Sequence, residues 1–327
     1  MICELEDKIF TAERSDFEQL ALEIFQFQYN NNAIYQQYVN ALSIVGPKVQ
    51  SVEQIPFLPI QFFKTREIKT TAFEPQTVFE SSGTTQTINS RHLVKDLNIY
   101  RRSFSKAWEL FYGPVQEWCV IGLLPAYLER QHSSLVVMVD EMIKESGHPQ
   151  SGFYLYEHEK LAQVLQELEK KGQKTLLIGV TFGLLDFAEQ YPMPLQHTIV
   201  METGGMKGRR KEMTREEVHQ LLKTAFQTNA VHSEYGMTEL LSQAYSKQDG
   251  IFYCPPWMKV LVRQEDDPLD VRAGGSGIIN IIDLANLYSC SFIATDDVGT
   301  IMADGSFEVM GRIDNSDIRG CNLLIAK

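Results

Sequence analysis

The N-terminal part of the chain has the residue spacing of an amphipathic helix. Between residues 16 and 28 the apolar positions recur three or four residues apart, at Phe17, Leu20, Ala21, Ile24 and Phe25. This period places them on one face and predicts a helix that packs against a core. Residues 34–42 repeat the pattern more weakly. Four prolines then interrupt residues 47–75, which predicts an extended connecting segment there.

Beyond residue 75, short apolar runs alternate with longer stretches of helical period. The runs have the length of buried strands and cover residues 119–124, 175–180 and 198–201. The helical stretches cover residues 94–111, 134–143, 161–168 and 218–226. This alternation predicts an α/β fold of layered βαβ units, in which helices cover a parallel sheet. Thr214 and Glu217 have the spacing of a capping box, which predicts where the last of these helices begins.

The character of the chain changes near residue 250, where the helical period ends. Short β-rich runs follow, separated by Gly, Asp and Pro, at residues 259–263, 277–283, 298–302 and 306–310. They predict a small C-terminal β-barrel or sandwich. Asp304-Gly305 between the last two runs predicts a hairpin with a type I′ turn. We therefore expect an α/β core with a helical N-terminal segment over residues 1–250, and a small β-rich subdomain with a short tail over residues 251–327.

Composition and charge exclude several classes of protein. The chain has 327 residues, of which 44% are hydrophobic and 22% charged, as in ordinary globular proteins of one large or two smaller domains. The 42 acidic residues outnumber the 30 basic ones, and the net charge is −12. Such a charge repels phosphate backbones, which argues against a general nucleic-acid binder.

The N-terminal residues and the cysteine spacing predict the cellular location of the protein and the redox state of its thiols. No apolar run approaches the roughly 18 to 20 residues of a membrane span, and three of the first seven residues are acidic where a secretory signal is basic. We expect a cytoplasmic protein without a membrane span. The five cysteines are scattered and never in CxxC spacing, at Cys3, Cys119, Cys254, Cys290 and Cys321. This pattern excludes a disulfide framework and a zinc knuckle, and it predicts reduced thiols.

Two segments carry candidate chemistry for a nucleotide. Residues 81–85, Ser-Ser-Gly-Thr-Thr, follow a short β-run and offer backbone N–H and hydroxyl donors to phosphate oxygens. Residues 235–239, Tyr-Gly-Met-Thr-Glu, follow another β-run. There a Tyr can stack on a base, a Gly permits close approach, and a Glu can bind Mg²⁺. Taken singly, either segment could be an ordinary loop.

Two later segments suit a sugar. Residues 295–299, Thr-Asp-Asp-Val-Gly, and residues 311–314, Gly-Arg-Ile-Asp, place a carboxylate and a guanidinium near one another in sequence. A carboxylate can accept both hydroxyls of a ribose, and an Arg can donate to the same sugar or to a phosphate. Asp and Gly serve hairpin turns equally well, so the alternative is plain turn chemistry.

The order of these four segments, closed by Ile318-Arg319-Gly320, resembles the motif series of the adenylate-forming ligases over residues 81–320. Three further segments resemble the acyl-protein synthetases of bacterial bioluminescence within that superfamily. They are residues 55–59 with Phe63-Lys64, residues 124–130 with 133–135, and residues 203–207. This narrower resemblance covers nearly the whole chain. It implies the large domain of those enzymes, two layered α/β lobes with a small β-barrel.

The resemblance also implies a role for each matching residue, with ATP and Mg²⁺ as cofactors. The phosphates of ATP would be held by Ser81, Ser82, Gly83, Thr84 and Thr85. The adenine pocket would be lined by Gly204, Gly205 and Tyr235, and Gly236 would also bind ATP. Thr238 would contact the α-phosphate and Glu239 would bind Mg²⁺, while Asp297 and Arg312 would hold the ribose.

The chain departs from the superfamily pattern in two places. After Thr85 the phosphate loop continues with Gln86-Thr87-Ile88-Asn89 in place of the usual Gly and Lys, so its charge compensation must come from elsewhere. Only seven residues follow Gly320, where other members begin a domain with a catalytic Lys. In the acyl-protein synthetases a Cys near the C-terminus accepts the acyl group, and Arg319-Gly320-Cys321 matches that pattern. Cys321 could otherwise simply pack the tail.

These features together predict an ATP-dependent ligase. It would activate a carboxylic acid, most simply a fatty acid, as an acyl adenylate and pass the acyl group to the Cys321 thiol, with an acyl-accepting protein as a further possible partner. An aryl-acid or small-acid ligase of the phenylacetate-CoA ligase type is the nearest alternative. A non-catalytic nucleotide-binding relative is the alternative from a different class.

Overall fold

A computed structural model describes residues 2–43, 49–81, 88–125, 132–204 and 213–313. Its helices are α1 Ile2–Thr11, α2 Phe17–Asn31, α3 Ala33–Ala41, α4 Phe62–Thr65, α5 Leu97–Tyr112, α6 Ser134–Ser146, α7 His158–Lys171, α8 Thr181–Gln190 and α9 Arg215–Phe226. Its strands are β1 Leu58–Pro59, β2 Thr77–Glu80, β3 Arg91–Val94, β4 Cys119–Leu123, β5 Gly152–Phe153, β6 Thr175–Val180, β7 Thr198–Thr203, β8 His232–Tyr235, β9 Ala244–Ser246, β10 Ile251–Tyr253, β11 Met258–Arg263, β12 Val271–Arg272, β13 Gly275–Asp283, β14 Phe292–Ile301 and β15 Phe307–Arg312.

One large sheet organises these elements and confirms the α/β fold. Five neighbouring strands in the order β8, β7, β6, β4, β5 pair in parallel. Helices connect them, as the alternating pattern predicts. The N-terminal segment joins the same sheet through β1, which pairs in parallel with β14. The strands β2 and β3 form a separate antiparallel pair.

Helices cover both faces of the parallel strands. In β4 and β6, Val120 and Ile178 face a core that includes residues of α5 and α6. The alternate residues Ile121 and Leu177 face a second core formed with α7, α8 and α9. This two-sided burial explains why these strands are continuously apolar in sequence. Among the described residues, no helix is long and apolar enough to cross a membrane.

The C-terminal strands β10 to β15 continue the path of the same sheet. They follow β9 in the order β10, β15, β14, β13, β11, β12. Pairings within the described ranges leave β12 at an edge, with β11 as its neighbour. A closed small barrel is therefore not confirmed, and the division near residue 250 stays a prediction.

The hairpin between β14 and β15 is confirmed, but its predicted type I′ turn is wrong. A type I′ turn needs a positive φ at both central residues, whereas only Gly305 has one, at 82°. The Gly305 N–H donates to the Met302 carbonyl, and Met302 N–H donates to the Ser306 carbonyl. The Asp304 carboxylate accepts from the Ser306 N–H at 3.0 Å, which favours the ordinary right-handed conformation at Asp304.

Helix boundaries follow the sequence pattern where one face is apolar. The capping box at the start of α9 is confirmed, with Thr214 Oγ1 accepting from Glu217 N–H at 3.2 Å and Glu217 Oε2 accepting from Thr214 N–H at 2.8 Å. The sequence pattern did not indicate α8. Most of its residues are buried, so it lacks the polar face that makes a helical period visible.

Candidate active site

The carboxyl ends of β6, β7 and β8 form the floor of the candidate site. Val180 pairs with Thr203, and Thr203 pairs with Glu234, so these strands end side by side. Beyond them, Thr181 Oγ1 donates to the Gly204 carbonyl at 2.8 Å. Gly204 has a φ of 70°, which favours glycine because it has no Cβ. Ligands of open α/β sheets bind at such edges.

The base of the predicted phosphate loop is formed by two serines at the ends of β2 and β3. The Ser81 N–H donates to the Ser90 carbonyl at 3.1 Å, and the Ser90 N–H donates to Ser81 Oγ at 2.9 Å. Ser81 therefore holds the two ends of the loop together. The predicted roles of Ser82, Gly83, Thr84, Thr85, Gly205 and Cys321 fall on residues outside the described ranges.

Glu239 lies against this loop base. It follows β8, is only 5% exposed, and accepts a hydrogen bond from the Ser90 hydroxyl. Burial raises the pKa of Glu239, while the Ser90 hydrogen bond and the charges of Arg312 and Lys64 oppose that rise. The structure thus brings together the phosphate-loop base and the predicted metal ligand, which are about 150 residues apart in sequence.

The predicted ribose-binding pair is assembled across two strands. Asp297 in β14 lies opposite Arg312 in β15, and Arg312 Nε donates to Asp297 Oδ1 at 2.9 Å. Tyr235 at the end of β8 donates its hydroxyl to Asp297 Oδ2 at 2.8 Å. Burial and the nearby Asp297 raise the pKa of Tyr235, so this hydroxyl stays protonated. A carboxylate has about four acceptor positions, which leaves two for ribose hydroxyls.

The ring of Tyr235 is packed inside the protein, which leaves little of it exposed for stacking on a base. Its ring packs against Phe252 and Phe307, with centroids 5.8 and 5.5 Å away, and only 8% of the residue is exposed. Its hydroxyl is directed to the Asp297 carboxylate. The geometry therefore connects Tyr235 with the predicted ribose-binding pair, and its contact with adenine stays a prediction.

The loop after Glu239 is anchored by a buried carboxylate. Asp283 at the end of β13 accepts from the backbone N–H groups of Leu241 and Ser242 at 2.8 and 2.9 Å, and from Ser242 Oγ at 2.6 Å. It also accepts from the Ala285 N–H at 3.1 Å. These bonds fix the backbone two residues beyond Glu239. Asp283 was not indicated by the sequence motifs.

Gly236 and Glu234 are sterically linked at the turn out of β8. A Cβ on Gly236 would collide with Glu234 Oε1, so glycine is required while that carboxyl keeps its place. Thr203 Oγ1 donates to the other carboxyl oxygen of Glu234. Burial raises the pKa of Glu234 to about 7, with the Glu202 charge adding to the rise and the Thr203 bond opposing it. Glu234 is therefore largely protonated in the folded protein below neutral pH.

We predict that Glu234 makes the protein less stable as the pH rises. Between its ordinary pKa of 4.5 and the folded value of about 7, the folded state binds more protons than the unfolded state, so the free energy of unfolding falls with increasing pH. The effect is roughly 3 kcal/mol at full ionisation. Thermal unfolding from pH 5 to 8 should show a smaller decline in Glu234→Gln than in wild type. Equal slopes in the two proteins would contradict the assignment.

The Glu239 carboxylate is suited to be one ligand of a Mg²⁺ ion that is also bound by nucleotide phosphates. Within the described part of the chain, no group of three or more His, Cys, Asp or Glu could hold a metal ion by itself. Mg²⁺ commonly takes one or two carboxylates, with phosphate oxygens and waters as its other ligands. Glu239 beside the phosphate-loop base supplies such a carboxylate. Bound Mg²⁺ would neutralise charge on the phosphates, and Glu239 would hold it.

Sequence motifs missed several residues that border this site. Ser90 contacts Glu239, and His92 Nδ1 lies 3.0 Å from the Thr238 carbonyl. The only sequence feature that could have indicated Ser90 and His92 is their position shortly after the predicted phosphate loop. Lys64 at the surface of α4 adds a positive charge close to Glu239. Phe63-Lys64 belongs to the segments that resemble the acyl-protein synthetases, but the resemblance implies no particular role for Lys64.

Comparison with solved structures identifies the class of fold. The structure of 2-hydroxyisobutyryl-CoA ligase with 2-HIB-AMP matches with a TM-score of 0.62 and 13% identity, over 94% of this chain and 70% of that one. ATP-bound MatB from Rhodopseudomonas palustris matches with a TM-score of 0.55 and 16% identity, over 72% of this chain. The match covers 47% of MatB, so it extends over about half of that protein. The fold is that of the adenylate-forming ligases.

The family follows from the sequence comparison. The family model described as "Acyl-protein synthetase, LuxE" matches residues 10–327, and the chain belongs to this family of ligases. A relative from Aliivibrio fischeri, "Long-chain-fatty-acid--luciferin-component ligase", is 22% identical over 360 residues. That match covers 99% of this chain and 93% of the relative. These findings confirm the family that the three further segments indicated within the superfamily.

Proposed function

We propose that the protein uses ATP to convert a fatty acid into an acyl adenylate and then transfers the acyl group to the thiol of Cys321. The observation that carries this proposal is the meeting of three groups at one sheet edge. They are the Ser81–Ser90 loop base, the buried Glu239, and the Tyr235–Asp297–Arg312 cluster. These are the donors and acceptors that a nucleoside triphosphate and its metal ion require.

In the first step, a carboxylate oxygen of the acid attacks the α-phosphorus of ATP. The bond from that phosphorus to the α,β-bridging oxygen breaks, and pyrophosphate leaves with the bonding electrons. Ser81 to Thr85 donate to the phosphates, and Thr238 donates near the α-phosphate as its charge is redistributed. Lys64 and Arg312 supply positive charge near Glu239, which supports a site whose phosphate loop lacks the usual Lys.

In the second step, the thiolate of Cys321 attacks the acyl carbon. The bond from that carbon to the AMP oxygen breaks, a thioester forms, and AMP leaves with the electrons. Three thiols that lie within the described residues are poor candidates, because burial raises the pKa of Cys119 to about 11 and those of Cys254 and Cys290 to about 12. A thiol is a weak nucleophile until it ionises. This supports the assignment of the acceptor to the C-terminal tail.

The relative from Aliivibrio fischeri supports the choice of substrate. Its name joins a long-chain fatty acid to a luciferin component, and by analogy we assign a long-chain fatty acid to this chain. A partner protein would then receive the acyl group from Cys321.

A panel of acids tests this function against its alternatives. Exchange of labelled pyrophosphate into ATP is measured with Mg²⁺ and with fatty acids of increasing chain length, small acids and aryl acids in turn. We expect exchange with long-chain fatty acids. Exchange only with aryl or small acids would indicate a ligase of the phenylacetate-CoA type. Binding of ATP without exchange in any acid would indicate a non-catalytic relative.

Asp297→Ala is predicted to weaken ATP binding more than it slows turnover. Hydrogen bonds to the ribose are made equally in the ground state and the transition state, so their loss should appear in KM. We expect the KM for ATP in the exchange assay to rise roughly tenfold, the equivalent of about one charged hydrogen bond.

The adjacent carboxylate provides a matched control for Asp297. Asp296 accepts from Gln61 Nε2 at 2.8 Å, and the hydrogen bonds of Tyr235 and Arg312 described above go to Asp297, so Asp296 shares only its charge with Arg312. Asp296→Ala should therefore leave the KM for ATP close to the wild-type value. An unchanged KM in Asp297→Ala, or equal increases in both variants, would remove Asp297 from the ribose site.

A further inference from the structure

Two consecutive backbone carbonyls in the Thr238–Glu239 segment are each held by a buried side chain from elsewhere in the chain. His92 Nδ1 lies 3.0 Å from the Thr238 carbonyl oxygen, and Asn286 Nδ2 donates to the Glu239 carbonyl at 2.7 Å. Neither side chain belongs to the four motifs that indicated the site. Both residues are at most 1% exposed, so water cannot take over these bonds.

The donor and acceptor pattern around His92 determines its tautomer. A carbonyl can only accept, so His92 Nδ1 must carry the proton that is donated to Thr238. On the other side of the ring, His92 Nε2 lies 2.9 Å from Ser289 Oγ, and in a neutral ring with its proton on Nδ1 this nitrogen can only accept from that hydroxyl. A hydrogen bond from Ser289 to Nε2 therefore favours the tautomer that carries its proton on Nδ1 and donates to Thr238.

Ser289 is itself fixed by the N-terminal segment. Its carbonyl accepts from Asn32 Nδ2 at 2.9 Å and from Thr70 Oγ1 at 2.6 Å. The ring of His92 also packs edge-on against Phe63, with centroids 5.7 Å apart. His92 is thus held in one position by its hydrogen bonds and by packing, while it lies on β3 directly after the phosphate loop.

We propose that His92 is a positioning residue for acid activation, which acts through the Thr238 carbonyl to align Thr238 and Glu239 with the Ser81–Ser90 loop base. The argument rests on the proposed function, because it gives His92 a role through the residues expected to contact the α-phosphate and Mg²⁺. Residues that orient metal ligands and phosphate contacts affect turnover through small displacements of those groups.

Two isosteric replacements separate the two nitrogens of the ring. In His92→Asn, the side-chain amide can occupy the place of Nδ1 and donate to Thr238. In His92→Gln, the longer amide reaches the place of Nε2 and meets Ser289, so the donor to Thr238 is lost. We expect kcat for fatty-acid-dependent pyrophosphate exchange to fall roughly 10- to 100-fold in His92→Gln and by no more than about threefold in His92→Asn.

Hydrogen exchange in the nucleotide-free protein provides a readout that does not depend on activity. Backbone amides of residues 236–242 should exchange faster in His92→Gln than in His92→Asn, because only the former loses the bond to Thr238. Melting temperatures of both variants show whether a loss of folded protein explains any difference. Ser289→Ala serves as a further variant if His92→Gln does not fold, and we expect a loss of kcat between those of the other two.

The outcomes distinguish this inference from the proposed function. If wild-type protein shows no acid-dependent exchange of pyrophosphate, the proposed function fails and the role of His92 fails with it. If wild type is active but His92→Asn and His92→Gln have equal kcat and equal hydrogen exchange, only the positioning role is overturned. A wild-type kcat in Ser289→Ala, where His92→Gln does not fold, overturns it as well.

Discussion

Cys321→Ser is expected to abolish a labile acyl adduct while leaving acid activation intact. Wild-type protein incubated with ATP, Mg²⁺ and a suitable fatty acid should gain the mass of one acyl group, and neutral hydroxylamine should remove it as it removes thioesters. Adenylation precedes attack by the sulfur and does not use it, so fatty-acid-dependent pyrophosphate exchange should continue in the variant. Intact-protein mass spectrometry and the exchange assay measure the two steps separately.

The other cysteines provide the controls for this experiment. Cys119 and Cys290 are buried, and burial raises the pKa of their thiols and of Cys254 to about 11 or 12. Alanine at each of these three positions, and at Cys3, should leave the adduct in place. An adduct that persists in Cys321→Ser would assign the acceptor to another group. Loss of exchange in that variant would show that Cys321 acts before acyl transfer.

Glu239→Ala should reduce the rate of pyrophosphate exchange on the order of 10²-fold, as the loss of one electrostatic stabiliser does in other enzymes. Its carboxyl is buried against Ser90 and lies near the charges of Lys64 and Arg312. We read this environment as a site for one Mg²⁺ shared with the phosphates. The dependence of the rate on Mg²⁺ concentration should shift to higher concentration in the variant.

A second replacement separates metal binding from packing at Glu239. Glu239→Gln keeps the size of the side chain and an oxygen that can accept from Ser90, but it loses the charge. If Glu239 binds the metal, Gln should be nearly as inactive as Ala while its melting temperature remains close to that of wild type. Wild-type exchange rates in Glu239→Gln would show that the residue only packs against the loop base.

The strongly patterned elements of the fold could be predicted from sequence. The continuous apolar runs of β4 and β6 indicate strands buried on both faces, and the Thr214 capping box indicates the start of α9. The helix α8 escaped prediction because it is buried on most sides. The prediction of a type I′ turn was wrong because it rested on the turn propensity of Asp-Gly alone. In the structure the Asp304 carboxylate accepts from the Ser306 N–H, which favours the right-handed conformation at Asp304.

The sequence predicts the candidate site only through the order in which its motifs occur along the chain. The pairing of Asp297 with Arg312 follows from the register of β14 and β15 and could be anticipated once a hairpin was expected. The contacts of Ser90 with Glu239 and of His92 with Thr238 could not, because they join residues more than 140 positions apart through the packing of β3 against the loop after β8. Long-range contacts of this kind leave no local period.

The most direct test of the account follows a single oxygen atom. Protein is incubated with ATP, Mg²⁺ and a fatty acid that carries ¹⁸O in both carboxylate positions, and the nucleotide products are examined by mass spectrometry. If a carboxylate oxygen attacks the α-phosphorus and the thiol then displaces AMP, the released AMP should contain one ¹⁸O and the pyrophosphate none. Formation of ADP with labelled phosphate, or of AMP without label, would contradict the formation of an acyl adenylate by this protein.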